Sequence, residues 1–121
     1  MSSSRPEAAA ALDEIGRLVG AGGEADETLR QVVTALQEQA GYEWAGIFFV
    51  EAGSLSLGPE AGSPDVARRI SVPVTWSGDR IADLAVDGAP EEDRPALERA
   101  AALVCELCLV AWDTGGEAWE P

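Results

Sequence analysis

The hydrophobic pattern of this chain changes period at residue 41, from about 3.6 to about 2, and no other feature limits the fold so strongly. Before the switch, Ala8, Leu12, Ile15 and Val19 recur at helical spacing. Ser4 suits the N-cap of that helix, with Pro6 and Glu7 in its first turn. Gly20 to Gly23 breaks it. Leu29, Val32, Val33 and Leu36 form an i, i+3, i+4, i+7 stripe, which predicts a second helix from about Asp26 to Ala40. Asp26 can cap it, and Gly41 suits the left-handed position after its end.

After the switch, Trp44 to Val50 is rich in aromatic and β-branched residues and reads as a strand. Glu51-Ala52-Gly53 is a short turn, so Ser54 to Leu57 should pair antiparallel with the first strand. Residues 58 to 66, GPEAGSPDV, are turn formers and read as a loop. Ile70, Val72, Val74 and Trp76 alternate with Ser71, Pro73 and Thr75. Ser77-Gly78-Asp79 is a tight turn, and Ile81 to Val86 is the fourth strand. Pro73 has no backbone donor, which places it at an edge or at a gap in the ladder.

A last helix is expected from about Glu91 to Trp112, with Pro95 in its first turn. Leu97, Ala100, Ala101, Val104, Cys108 and Ala111 make one face, and Leu103, Leu107 and Val110 a second beside it. A helix apolar over so wide an arc needs two neighbours. One is the sheet; the other is the N-terminal helices, of this chain or of a partner. Residues 1–112 thus read as one domain, and 113–121, acidic and Gly-containing with Trp119, as a flexible tail.

The 121 residues carry 22 acidic and 8 basic side chains, a net charge of −14, and no histidine. Every basic residue is Arg. Such a surface repels nucleic-acid phosphates and anionic membranes, so neither is an expected partner. Three origins of the acidity stand open: a solubilising surface, adaptation to high salt, or a surface for a basic partner. Without His, the commonest general base and metal ligand is missing, which weighs against most hydrolase and zinc chemistry. No apolar run approaches the ~18–20 residues of a membrane span, and MSSSRPEAAAA does not read as a secretory signal. The expected location is the cytoplasm.

Taken in order, "YEWAGIFFVEAGSLSLGPEAG", "RISVPVTWSGDRIADLAVDG" and "EEDRPALERAAALV" resemble a GAF domain, in particular the small GAF proteins of the free methionine-R-sulfoxide reductase type. The resemblance covers most of residues 26 to 105. It implies an α+β fold: an antiparallel sheet of about four strands in the order 2-1-4-3, with two N-terminal helices and one C-terminal helix on one face. It also implies dimers built by packing terminal helices. The chain departs from the pattern between its second and third strands, where the family carries lid helices and, in the reductases, the reactive cysteines. Only about a dozen residues, Gly58 to Arg69, lie there, and none is Cys.

The acidic pair that faces the substrate ammonium in the resembled reductases would fall on Ala85 and Asp87, so one carboxylate is lost. A glutamate that often precedes the third strand is Arg69 here, and a cation there opposes an ammonium ligand. Trp44 and Phe48 keep the aromatic wall. By alternation, Ala45, Ile47, Phe49, Ile70, Val72, Val74, Ala82, Leu84 and Val86 face the helices. Trp44, Gly46, Phe48, Ser71, Pro73, Thr75, Asp83 and Ala85 face the other way, and without a lid that face should be a shallow open surface.

Cys105 and Cys108 spell C-E-L-C late in a helix, where the dipole disfavours a thiolate and Glu106 adds like charge. Buried small hydrophobes, a disulfide and catalysis are the three readings. Two Cys without His do not make a structural zinc site, so no metal is expected. Asp87 suits the turn into Gly88, and Glu91-Glu92-Asp93 suits a helix N-terminus. The GAGG at 20–23 follows no strand and precedes no Lys, so it is no phosphate loop, and no cofactor is expected. The ligand or partner candidates are Trp44, Phe48, Ser71, Thr75, Asp83 and Asp87. The dimer-interface candidates are Leu12, Ile15, Leu103, Leu107 and Val110. The first functional expectation is a non-catalytic, homodimeric interaction or signalling module with no catalytic residues. A small-molecule sensor using the open face is the alternative, and a Cys-dependent reductase the third.

Overall fold

A computed structural model describes residues 6–51 and 53–118, with side chains described through residue 109 except at Glu51. Ser4, Ala52 and Trp119 lie outside the described residues. Two helices, α1 (Pro6–Ala21) and α2 (Ala25–Gln39), precede strands β1 (Trp44–Glu51), β2 (Ser54–Gly62), β3 (Arg69–Trp76) and β4 (Asp79–Asp87). Helix α3 (Arg94–Ala118) follows a 3-10 turn at Glu91–Asp93. The sheet is antiparallel throughout, in the order β2-β1-β4-β3. This is the α+β arrangement and strand order expected above.

The switch at residue 41 is physical. Gly41 sits at φ 80°, one residue after the Ala40 C-cap, a conformation that costs glycine little. At the other end of α2, Glu24 and not Asp26 holds the N-cap position, and it makes no side-chain cap bond. Asp26 instead lies in the first turn with Glu27, where negative charge suits the helix dipole.

Helices α2 and α3 pack on one face of the sheet, and α1 packs against both of them on that side. Ala45, Ile47, Ile70, Val72, Val74, Ala82, Leu84 and Val86 bury against Ile15 of α1, Leu29, Val32, Val33 and Leu36 of α2, and Leu97, Val104 and Cys108 of α3. Phe49 packs at the margin. Helix α3 meets β3 and β4 on one side and α1 and α2 on the other. The second neighbour that its wide apolar arc required is therefore in this chain. Helix α3 starts at Arg94, so Pro95 falls in its first turn, and it runs past the expected end at Trp112.

Strand β2 is longer than its expected end at Leu57. Gly46 pairs with Glu60 and Phe48 with Leu57, so the single residue Ile47 opposes two, Gly58 and Pro59. That bulge on an edge strand accommodates a proline and lets the ladder continue to Gly62. Gly58 is needed there, since a Cβ would lie 2.4 Å from the Phe49 ring. The β3–β4 hairpin turns at Ser77 (φ 54°) and Gly78 (φ 86°), the two left-handed residues of a type I′ turn. Between β2 and β3 lies only a short connection with one 3-10 turn, Val66–Arg68.

Candidate functional site

The sheet face away from the helices is open in part, with Ser71, Pro73 and Thr75 exposed, but the region around Trp44 is covered by the chain's own side chains. Trp44 is 1% exposed. Its indole lies along the sheet over Gly46, where a Cβ would come within 2.4 Å of two ring carbons. The indole N–H donates to Glu60 Oε1 at 2.8 Å. The Phe48 ring stands 6.0 Å away, tilted at 48°. Over both rings sits the guanidinium of Arg69, 4.3 Å from the Trp44 centroid and 5.6 Å from that of Phe48. A cation over an indole face is attracted by the ring quadrupole.

Arg69 reaches this position because β3 and β4 pair it with Asp87. Its Nε donates to Asp87 Oδ1 at 2.7 Å and its Nη2 to Oδ2 at 3.0 Å, a bidentate fork. The Asp65 backbone N–H also donates to Oδ2, at 2.6 Å. The Asp87 carbonyl accepts from the Glu43 N–H at 2.9 Å. Asp87 is completely buried, so one carboxylate ties β4 to β3, to the loop after β2 and, through its backbone, to β1. The hydrogen bonds from Arg69 to Asp87 raise the guanidinium pKa further above its ordinary value. Nearby, Arg68 pairs with Glu43, and the Arg68 carbonyl accepts from the Gly88 N–H at 3.0 Å.

A second fork lies at the other end of the same face. Arg80 Nε donates to Asp83 Oδ1 at 2.8 Å, and Nη2 bonds Oδ2. In a regular strand residues three apart face opposite ways. Here Val74 pairs with Ala82 and Thr75 with Arg80, so Ile81 is an extra residue on β4, and this bulge brings Arg80 and Asp83 onto one face. With Ser71, Val72 and Pro73 they line a shallow depression of about 370 Å³. Thr75 is exposed on the edge strand beside Arg80.

The structure thus groups Trp44, Phe48 and Asp87 around Arg69, and Ser71 with Asp83 around Arg80. The aromatic and acidic members and the place of Gly46 on this face are legible in the sequence; the part of Gly46 as the seat of the indole and of Glu60 as its acceptor is not, and Arg69 reads there only as a cation opposing an ammonium ligand. The remaining acidic motif is split. Glu91 pairs with Arg94 and has its pKa lowered by that bond. Asp93 is completely buried and accepts from the Tyr42 hydroxyl at 2.8 Å.

Cys105 and Cys108 are free thiols, the first half-buried and the second fully buried. Burial, helped by the neighbouring Cys105, pushes the Cys108 pKa up to about 12. Among the described residues no three Cys, Asp or Glu side chains gather to hold a metal. Of the dimer candidates, Ile15 is completely buried within the chain's own core and Leu12 and Leu107 are partly buried against it. Leu103 is 39% exposed. The Val110 side chain lies outside those described. No helix among the described residues is long and apolar enough to cross a membrane.

No protein-family profile and no curated protein matches the sequence. Solved structures match the fold. The free methionine-R-sulfoxide reductase of Neisseria meningitidis, in complex with its substrate, superposes with a TM-score of 0.71 at 17% identity, covering 92% of this chain and 95% of that one. The GAF domain of a phosphoenolpyruvate-protein phosphotransferase from Coxiella burnetii gives 0.73 at 13% identity, over 91% and 97%. The nlh2 GAF domain of A. aeolicus, in an inactive state, gives 0.71 at 11%, over 87% and 97%. The chain has a GAF fold. Its neighbours include enzymes and GAF domains of other proteins, so the fold alone does not decide whether this chain is catalytic.

Proposed function

We propose that this chain is a non-catalytic GAF-like interaction or signalling module that works as a homodimer. The observation that carries the reading is Arg69, which fills the place over Trp44 and Phe48 and engages both oxygens of Asp87 with two hydrogen bonds. In the resembled reductases the acidic position that Asp87 matches faces a substrate ammonium. Here the chain supplies its own cation. The cysteines add support: Cys108 is buried with a raised pKa, and a thiol that stays protonated is a poor nucleophile.

A small-molecule sensor is the second reading, favoured by the depression beside Ser71, Arg80 and Asp83. One experiment separates the three readings: titration of tryptophan fluorescence with amino acids and cyclic nucleotides, alongside an assay of free methionine sulfoxide reduction. The module gives a flat titration and no turnover. A saturable response lost in Asp83→Ala supports the sensor. Turnover abolished by Cys105→Ser or Cys108→Ser supports the reductase.

A further inference from the structure

The sheet has two edges, and they are built differently. The β3 edge carries Pro73 at its middle, which offers no backbone donor to another strand. The β2 edge is regular and exposed from Ser54 to Leu57, before its bulge at Gly58-Pro59. Protein edges are usually guarded by charge, proline or a covering element. Ser54-Leu55-Ser56-Leu57-Gly58 carries neither charge nor proline, in a chain of net charge −14. Among the described residues five large hydrophobics are exposed, and two are here: Leu55 at 50% and Leu57 at 47%. Leu57 stands opposite Phe48 and Leu55 opposite Val50, so the four share the face away from the helices.

We propose that the β2 edge pairs with the same edge of a second copy, antiparallel about a twofold axis at Ser56, joining two sheets into one. The proposal rests on the homodimer reading and assigns its interface. The register is self-complementary: about Ser56, Leu55 of one copy faces Leu57 of the other, twice, and Ser54 faces Gly58. That is the isologous contact a twofold dimer requires. Charge selects the occupant. Two copies of −14 repel over most of their surfaces, so they can meet closely only where charge is missing. A basic partner would gain from the acidic surface and has no reason to choose the neutral strand. The helix layer offers less, because Ile15 is already buried and Leu103 is the one described large apolar residue of α3 that is exposed.

The test is native mass spectrometry and light scattering of the full chain, at low and high salt, on the wild type, Leu57→Glu, Leu55→Pro and Leu103→Glu. Leu57 is half exposed, so Leu57→Glu should keep the monomer fold, checked by circular dichroism; Leu55→Pro removes an edge donor independently, because Glu51 and Ser54 close the hairpin as a hydrogen-bonded pair and the next N–H, that of Leu55, points away from β1. The expected result is a dimer that tightens with salt, falls to half its mass in both β2 variants and survives Leu103→Glu. Ser56→Cys should then form a disulfide between copies. A dimer that survives both β2 variants but not Leu103→Glu overturns this interface and keeps the homodimer. A monomer at every concentration overturns both. A monomer that takes a basic peptide on β2, more weakly as salt rises, overturns the second copy as occupant.

Discussion

At the scale of single residues, Arg69 and Asp87 carry the largest consequences. Removing one partner of a buried ion pair leaves an uncompensated charge and costs about 3–5 kcal/mol. Arg69→Ala should fall near the low end, roughly 3 kcal/mol, because the Arg69 side chain keeps 19% exposure while Asp87 has none. Arg69→Ala with Asp87→Asn should recover part of that loss; urea denaturation of the two variants measures both. Cys108 makes a pH prediction. Its thiol keeps its proton to about pH 12 in the fold, against 9.0 for an ordinary thiol. The folded state therefore binds the proton more tightly than the unfolded chain. The stability from this group is complete below pH 9 and is lost as pH rises from 9 toward 12, at up to ~1.4 kcal/mol per unit. Cys108→Ala should flatten that limb in denaturation curves taken across the range. The ion pair was hard to read in the sequence for a definite reason. Counting back from the turn, where Trp76 pairs with Asp79, a regular hairpin puts Arg68 opposite Asp87. The bulge at Ile81 shifts the register by one and delivers Arg69 instead. Nothing in Ile81 as a residue type announces a bulge.

At the scale of elements, glycines show how backbone space sets side-chain position. Gly46→Ala should displace the indole of Trp44 from the sheet, because the new Cβ would lie 2.4 Å from its ring. Overpacking of this kind costs about 1–3 kcal/mol, and tryptophan emission should shift to the red as the ring leaves its buried seat. Gly16→Ala is the contrast. Nothing lies within 4 Å of its Cβ position on α1, so it should stabilise the chain by about 0.5–1 kcal/mol through helix propensity. A melting curve of each variant checks both signs. The helices and the sheet's inner face were legible because burial imposes a period on sequence. The outer face was not, because its cover comes from polar side chains, Arg69 and Glu60, that reach across strands. Strand β2 was cut short for a related reason: Gly58-Pro59 reads as a loop, and only pairing with β1 reveals it as a bulge.

At the scale of the whole molecule, charge sets the response to conditions. A net charge of −14 on a small chain destabilises the compact state by self-repulsion, and salt screens it over about 8–10 Å at ordinary ionic strength. The melting temperature of the monomeric Leu57→Glu chain should therefore rise as sodium chloride is added. A fall would place the balance with attractive pairs such as Arg80–Asp83 and Arg69–Asp87.

The seat over Trp44 also has a thermodynamic meaning. A freely diffusing ligand stabilises its receptor by an amount that follows its concentration. A guanidinium held two strands away by the chain itself has a fixed, high effective concentration. Binding free energy at that seat becomes a constant part of folding, present in every copy and indifferent to the supply of any metabolite. Shortening the tether would expose the hidden equilibrium: in Arg69→Gly the melting temperature should climb with millimolar methylguanidinium, while the wild-type value shows no rise, guanidinium cations being otherwise denaturing.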